Sequence, residues 1–239
     1  MTVTTRYETI AAADGGTFAA FCAIPEAGSG PGVLLFQEIF GINDNMRGLA
    51  EKLADAGYVT LVPDMFWRIE PRFERSDESG IGDAFAMVQK FDFETGVDDI
   101  QATHAHLLGM AECTGKVGVI GFCLGGGLAF AAATRSRVDG KDPDAAVPYY
   151  GSPVNGLLGF VDQLECPTMF HYGNNDAFIP EPQIAEVEQA VAGKEHVVFH
   201  RYDAGHAFSN WDAPSMYQAE AAELAWSRTL EFFKANLGA

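Results

Sequence analysis

The segment that most limits what this chain can fold into is Lys116-Val-Gly-Val-Ile-Gly121-Phe122-Cys123-Leu124-Gly125-Gly126-Gly127, an apolar run that passes straight into a glycine-rich helix start. It has the form G-x-C-x-G. In the serine version of this elbow the reactive residue sits in a strained strand-to-helix turn, and glycines two before and two after it prevent collision. Cys123 holds the reactive position. A sulfur there lies at the positive end of the following helix dipole, where negative charge is favoured. The backbone N–H of Leu124, the next residue, would point at a tetrahedral oxyanion. Two other glycine-rich chemistries fail on spacing: a dinucleotide fingerprint needs G-x-G-x-x-G, and a phosphate loop needs Gly-Lys followed by Ser or Thr. The remaining alternative is a helix start in which glycines allow close packing and Cys123 is a buried hydrophobe.

Around this segment, short apolar runs at 32–36, 58–63, 116–122, 145–150, 167–172 and 196–202 are bounded by turn residues and read as buried strands. Between them, helical spacing occurs at 45–56, 96–110, 125–133, 181–192 and 215–237. Alternation of this kind predicts a mainly parallel sheet with helices on both faces, as in an α/β-hydrolase fold. The opening runs 6–10 and 17–23, separated by Asp14-Gly15-Gly16, suit an antiparallel hairpin joined to the sheet edge. Residues 65–82 mix aromatics with charges of both signs and lack periodicity, which predicts a long surface loop or lid over the site. No repeat or linker divides the chain, so residues 1–239 are read as one domain.

Fifteen basic against thirty-three acidic side chains give a formal charge of −18, which repels nucleic-acid backbones and anionic membrane surfaces. No apolar stretch reaches membrane-spanning length and no leader pattern opens the chain, so the reading is a cytoplasmic protein. Cys22, Cys113 and Cys166 have no motif around them and read as small buried hydrophobes. No CxxC or zinc-type spacing is present, so neither a metal nor a disulfide framework is expected.

A thiol nucleophile requires a base, and the base requires a group that holds its tautomer. In this fold the partners follow in the order nucleophile, acid, histidine. Asp176 lies in Tyr172-Gly173-Asn174-Asn175-Asp176, just past a strand, where sites form in such sheets. His206 lies in Gly205-His206-Ala207-Phe208, between the last strand and the final helix. Asp203 is an alternative acid, and His171 or His200 an alternative base, although both histidines fall within expected strands.

With these residues in hand, the chain resembles the dienelactone hydrolase family from the first hairpin to the last helix. The motifs are Gln37-Glu38-Ile39-Phe40-Gly41, Val62-Pro63-Asp64, Lys90-Phe91-Asp92, Gly121-Phe122-Cys123-Leu124-Gly125-Gly126, Asp176 and Gly205-His206-Ala207-Phe208. The resemblance implies that Glu38 partners the resting thiol and takes its proton, and that the Ile39 amide is the second oxyanion donor. It implies thiolate attack on a small-molecule ester or lactone, a thioester intermediate, and hydrolysis with no cofactor or metal; a monomer or small homo-oligomer is expected. The chain departs from the family where two arginines grip a substrate carboxylate: Ile81 and Asn210 stand in those places, and Ala207 follows the histidine. Arg72 or Arg75 could supply an anion site by another route. Competing readings are a general carboxylesterase or lactonase for neutral esters, and a non-catalytic binding or thiol-redox protein.

Overall fold

The computed structural model describes residues 2–76 and 78–238. Eight strands form one sheet: β1 (Thr4–Ala11), β2 (Thr17–Ile24), β3 (Gly30–Phe36), β4 (Val59–Pro63), β5 (Cys113–Phe122), β6 (Ala145–Tyr149), β7 (Thr168–Gly173) and β8 (Val197–Tyr202). Their order is β1-β2-β4-β3-β5-β6-β7-β8. The β1–β2 and β2–β4 pairings are antiparallel, and all others are parallel. Among the described residues six α-helices accompany them: α1 (Asp44–Asp55), α2 (Ile81–Lys90), α3 (Phe93–Gly109), α4 (Leu124–Arg135), α5 (Glu181–Val191) and α6 (Ala219–Leu237). Among the described residues, no helix is long and apolar enough to cross a membrane.

The topology reverses at β3. From there the chain runs outward to β4, then returns to place β5 on the other side of β3, so the two loops leaving β3 and β5 diverge. A crevice at the carboxyl ends of the strands follows from such a reversal. Glu38 and Ile39 leave β3 there, and Cys123 leaves β5 beside them. The central strands β3, β4, β6 and β7 are buried at every position, as the continuous apolar runs require when helices cover both faces. Helix α4 is also buried from Leu124 to Thr134, and its small residues let it lie against β3, β5 and β6.

The stretch expected as a loop or lid, residues 65–82, is corrected in part. Its described residues before Ile81 form turns, a bridge between Gly41 and Glu74 and a short 3-10 turn (Glu78–Gly80), and none of them lines the cavity at Cys123, whereas Ile81 does. The arginines of this stretch are engaged elsewhere. Arg68 binds Asp99 through Nε at 3.0 Å and Nη2 at 2.8 Å, Arg75 binds Asp83 at 2.9 Å, and the Arg72 guanidinium stacks 3.9 Å from the Tyr7 ring. The buried Asp64 carboxylate accepts the Phe66 and Arg72 backbone amides and anchors the loop at its start. The wall that does face the site is α2. Sequence reading left its residues without an element because the helix is short and opens on Gly80 without a side-chain cap.

Candidate active site

Cys123 joins β5 to α4 with φ 56° and ψ −114°, a sparsely populated conformation for a residue with a side chain. Such a residue costs roughly 1–3 kcal/mol and persists where its surroundings over-determine it. Here the Cys123 N–H donates to the Tyr149 carbonyl at 3.1 Å, and its own carbonyl accepts from Gly126 at 3.0 Å. A Cβ on Gly121 would collide with the Gly125 carbonyl, and one on Gly125 with the Phe36 carbonyl, so close backbone approach explains the two flanking glycines. Leu124 begins α4, so its N–H is among those a helix leaves without an intrahelical acceptor.

His206 follows β8 and Asp176 follows β7; the fold brings them together across thirty residues. His206 Nδ1 lies 2.7 Å from Asp176 Oδ2. The other carboxylate oxygen accepts the Phe178 and Ile179 amides, each at 2.8 Å, so the acid is fixed by its own turn. The imidazole is packed between Tyr150 and Phe178, with both ring centroids 5.1 Å away. Burial pushes its pKa down. The charge of Cys123, the Asp176 hydrogen bond and a hydrogen bond to Cys123 outweigh that and bring it up to about 10.

The other candidates are placed differently. His171 is fully buried, with Nδ1 2.7 Å from the Tyr202 hydroxyl and Nε2 3.2 Å from Thr229 Oγ1, a satisfied ring within β7. Asp203 accepts from the Asn175 amide at 2.7 Å. Burial pushes the Cys166 thiol up to about 11 and the Cys22 thiol up to about 12, whereas Cys123 is partly accessible.

Glu38 is 4% exposed, and the hydrogen bonds of its carboxylate go to the Tyr150 hydroxyl at 3.2 Å and Asn210 Nδ2 at 2.5 Å. The Tyr150 hydroxyl also lies 2.7 Å from Ser209 Oγ. The Cys123 sulfur lies 3.8 Å from Ser152 Oγ. Desolvation raises the Glu38 carboxyl above the usual carboxylate range, against the lowering influence of His206 charge and of the Asn210 and Tyr150 hydrogen bonds. A carboxyl whose pKa is raised on folding binds its proton more tightly in the folded state, so its stabilising share is present at low pH and is lost as pH rises through the folded value. Glu38→Gln should therefore raise Tm at neutral pH. Thermal melts should show that gain shrinking toward pH 4. A lower Tm at neutral pH would mean that the ionised carboxylate stabilises the fold.

Cys123, Glu38 and His206 line one cavity of about 130 Å³ with Ile39, Leu124, Ile81 and other largely apolar side chains. Phe85 and Val88 of α2 form one wall, and Phe178 and Met216 another. No lysine or arginine lines it among the described residues, so Arg72 and Arg75 do not supply an anion site there. Nor does any group of three or more His, Cys, Asp or Glu stand ready to hold a metal among the described residues. Sequence reasoning missed Tyr150, Ser152 and Phe178, none of which belongs to a motif. It singled out Asn210 only as an absent arginine, and its bond to Glu38 needed the fold to be seen.

This sheet, with its cysteine elbow and a histidine–carboxylate pair delivered by the last two strands, is that of an α/β-hydrolase. The family model described as "Dienelactone hydrolase family" matches residues 18–237. The chain is 37% identical over 227 residues to a carboxymethylenebutenolidase of Pseudomonas sp. (strain P51), spanning 94% of this chain and 93% of that one. It is 34% identical over 224 residues to carboxymethylenebutenolidase 1 of Cupriavidus pinatubonensis (strain JMP 134 / LMG 1197), spanning 93% of each. Among solved structures, a dienelactone hydrolase candidate from Klebsiella pneumoniae subsp. pneumoniae MGH 78578 superposes with a TM-score of 0.84 at 25% identity, over 98% of this chain and 99% of that chain. The chain belongs to the dienelactone hydrolase family.

Proposed function

We propose that this chain hydrolyses small, uncharged esters or lactones through a Cys123–His206–Asp176 triad. The observation that carries this reading is the meeting of Cys123, His206 and Glu38 in the wall of a single cavity that has no lysine or arginine in its lining among the described residues. The Cys123 thiolate attacks the carbonyl carbon, and the oxyanion is held by the Leu124 and Ile39 amides. The carbon–oxygen bond breaks, and the leaving alkoxide takes a proton from His206. Once the thiolate has formed, its charge and the Asp176 hydrogen bond hold a proton on the imidazole against burial, so His206 carries the proton that the alkoxide takes. Thioester formation removes that charge. Burial then opposes the Asp176 bond with less resistance, and the neutral ring becomes the base that activates water for deacylation.

Glu38 serves as the site's second proton acceptor: burial raises its basicity, and it shares the cavity with the thiol it would deprotonate. Glu38→Gln should lower kcat/KM by about a hundredfold, within the range of general-base losses. The loss should fall on acylation, read by rapid mixing. Dependence on a free thiol suits a reducing compartment, in keeping with a cytoplasmic enzyme.

The relatives named carboxymethylenebutenolidase suggest a lactone bearing a carboxylate. The cavity favours the neutral alternative. A carboxylate entering it leaves water without meeting a cation, and each missing charge-assisted hydrogen bond would have contributed on the order of 1.5–3 kcal/mol. The test compares kcat/KM for a carboxylated dienelactone and its methyl ester, with Cys123→Ala as the blank. The methyl ester should equal or exceed the free acid. A preference of about a hundredfold for the acid, about two tenfold steps in transition-state stabilisation, would contradict the neutral-substrate reading.

A further inference from the structure

A second cavity, about 180 Å³, adjoins the first. It runs between the loop after β7 and the loop after β8, and His206, Phe178 and Met216 stand in the walls of both. The partition is apolar and adaptable at one side: Met216 is unbranched, with a thioether that repacks readily. At the other side it is fixed, because the Phe178 amide is bound to the same Asp176 carboxylate that orients His206. The Phe178 ring is 50% exposed, an apolar surface left open at the junction of the two spaces.

Beyond the partition the chemistry changes. Asn175 donates its amide to Asp203, and its Oδ1 takes no part in that bond. Gln218 accepts the Gly205 amide through Oε1 at 2.9 Å, and its Nε2 takes no part in that bond. Both amide side chains are among those lining the second cavity, whereas the first is walled mainly by apolar groups.

The reaction itself orients a substrate about His206. When the carbonyl carbon–oxygen bond breaks, the electron pair stays on the alkoxide oxygen and the proton comes from His206, so the alcohol part must lie on the histidine side. The acyl oxygen must lie on the other side, against the amides of Leu124 and Ile39. From the shared wall at His206, and resting on the hydrolase reading above, we infer that the second cavity is the alcohol subsite. It takes a hydroxylated alcohol such as a glycerol-type polyol, while the apolar chamber takes a short acyl group.

The test uses two esters of one acid, methyl propanoate and monoglyceryl propanoate. Both give the same propanoyl-enzyme, so deacylation is common and the ratio of their kcat/KM values reports the alcohol side alone. Ala177 is exposed in the second cavity, and Ala177→Trp fills that space without removing a buried contact. The glyceryl-to-methyl ratio should fall at least about tenfold, one factor of ten in transition-state stabilisation. Asn175→Leu, which removes the acceptor without filling the groove, should lower the same ratio a few-fold. Ratios unchanged in both variants overturn this inference and leave the hydrolase reading standing. Absence of turnover of either ester by the unaltered protein overturns both.

Discussion

Cys123→Ala is expected to lower kcat/KM by at least about ten-thousandfold, to the residual level that oxyanion donors and binding sustain without a nucleophile. The fold should survive. Alanine removes one sulfur from a partly accessible position, and the unusual backbone there is held by the Tyr149 and Gly126 hydrogen bonds rather than by the side chain. The substitution has a second readout. Cys123 charge is the largest influence raising the His206 pKa, so in Cys123→Ala the imidazole should titrate well below about 10 in a proton NMR titration. The Cys123→Ser variant should lose the same influence while keeping a poor nucleophile. Activity within tenfold of the original in a folded Cys123→Ala protein would end the thiol mechanism, tenfold being one 1.36 kcal/mol step in barrier height.

Asp176→Asn should cost about a thousandfold to ten-thousandfold in kcat, the scale on which a wrong histidine tautomer disables a triad. The two oxygens of Asp176 have separate work. Oδ1 holds the Phe178 and Ile179 amides, and an asparagine carbonyl can replace it there, so the turn stays formed. Oδ2 meets His206 Nδ1 at 2.7 Å. An asparagine NH2 in that place is a donor, so Nδ1 must become the acceptor and the ring proton moves to Nε2, where the base is needed. Melting temperature should change by only a few degrees, and a mutant with more than a tenth of the original kcat, a loss of less than one 1.36 kcal/mol step, would show that another group orients the ring.

Much of this arrangement was legible in the chain because its chemistry is local. The glycine spacing around Cys123 states the elbow, and the alternation of apolar runs with helical spacing states the parallel sheet. Asp176 and His206 were legible by their placement just after strands. The observed β5 begins at Cys113, before the apolar run at 116, because pairing with β3 extends it through residues whose side chains are not buried. The Glu38 network was not legible. Asn210 reaches Glu38 across 172 positions and Tyr150 across 112, and no periodicity in a single sequence encodes such encounters. The anion site offered on Arg72 or Arg75 failed for a related reason: the Tyr7 ring and Asp83, both brought in by the fold, engage those two arginines.

A thiol mechanism requires that the acyl group pass through sulfur at Cys123. Rapid acid quenching of the enzyme during turnover of an activated ester such as p-nitrophenyl acetate, followed by peptide mass mapping, reads it directly. The expected result is an acetyl adduct confined to the peptide carrying Cys123, labile to hydroxylamine as a thioester is, and absent from Cys123→Ala. An adduct on Ser152 or Ser209 with Cys123 unmodified, in enzyme quenched while turning over, would contradict it.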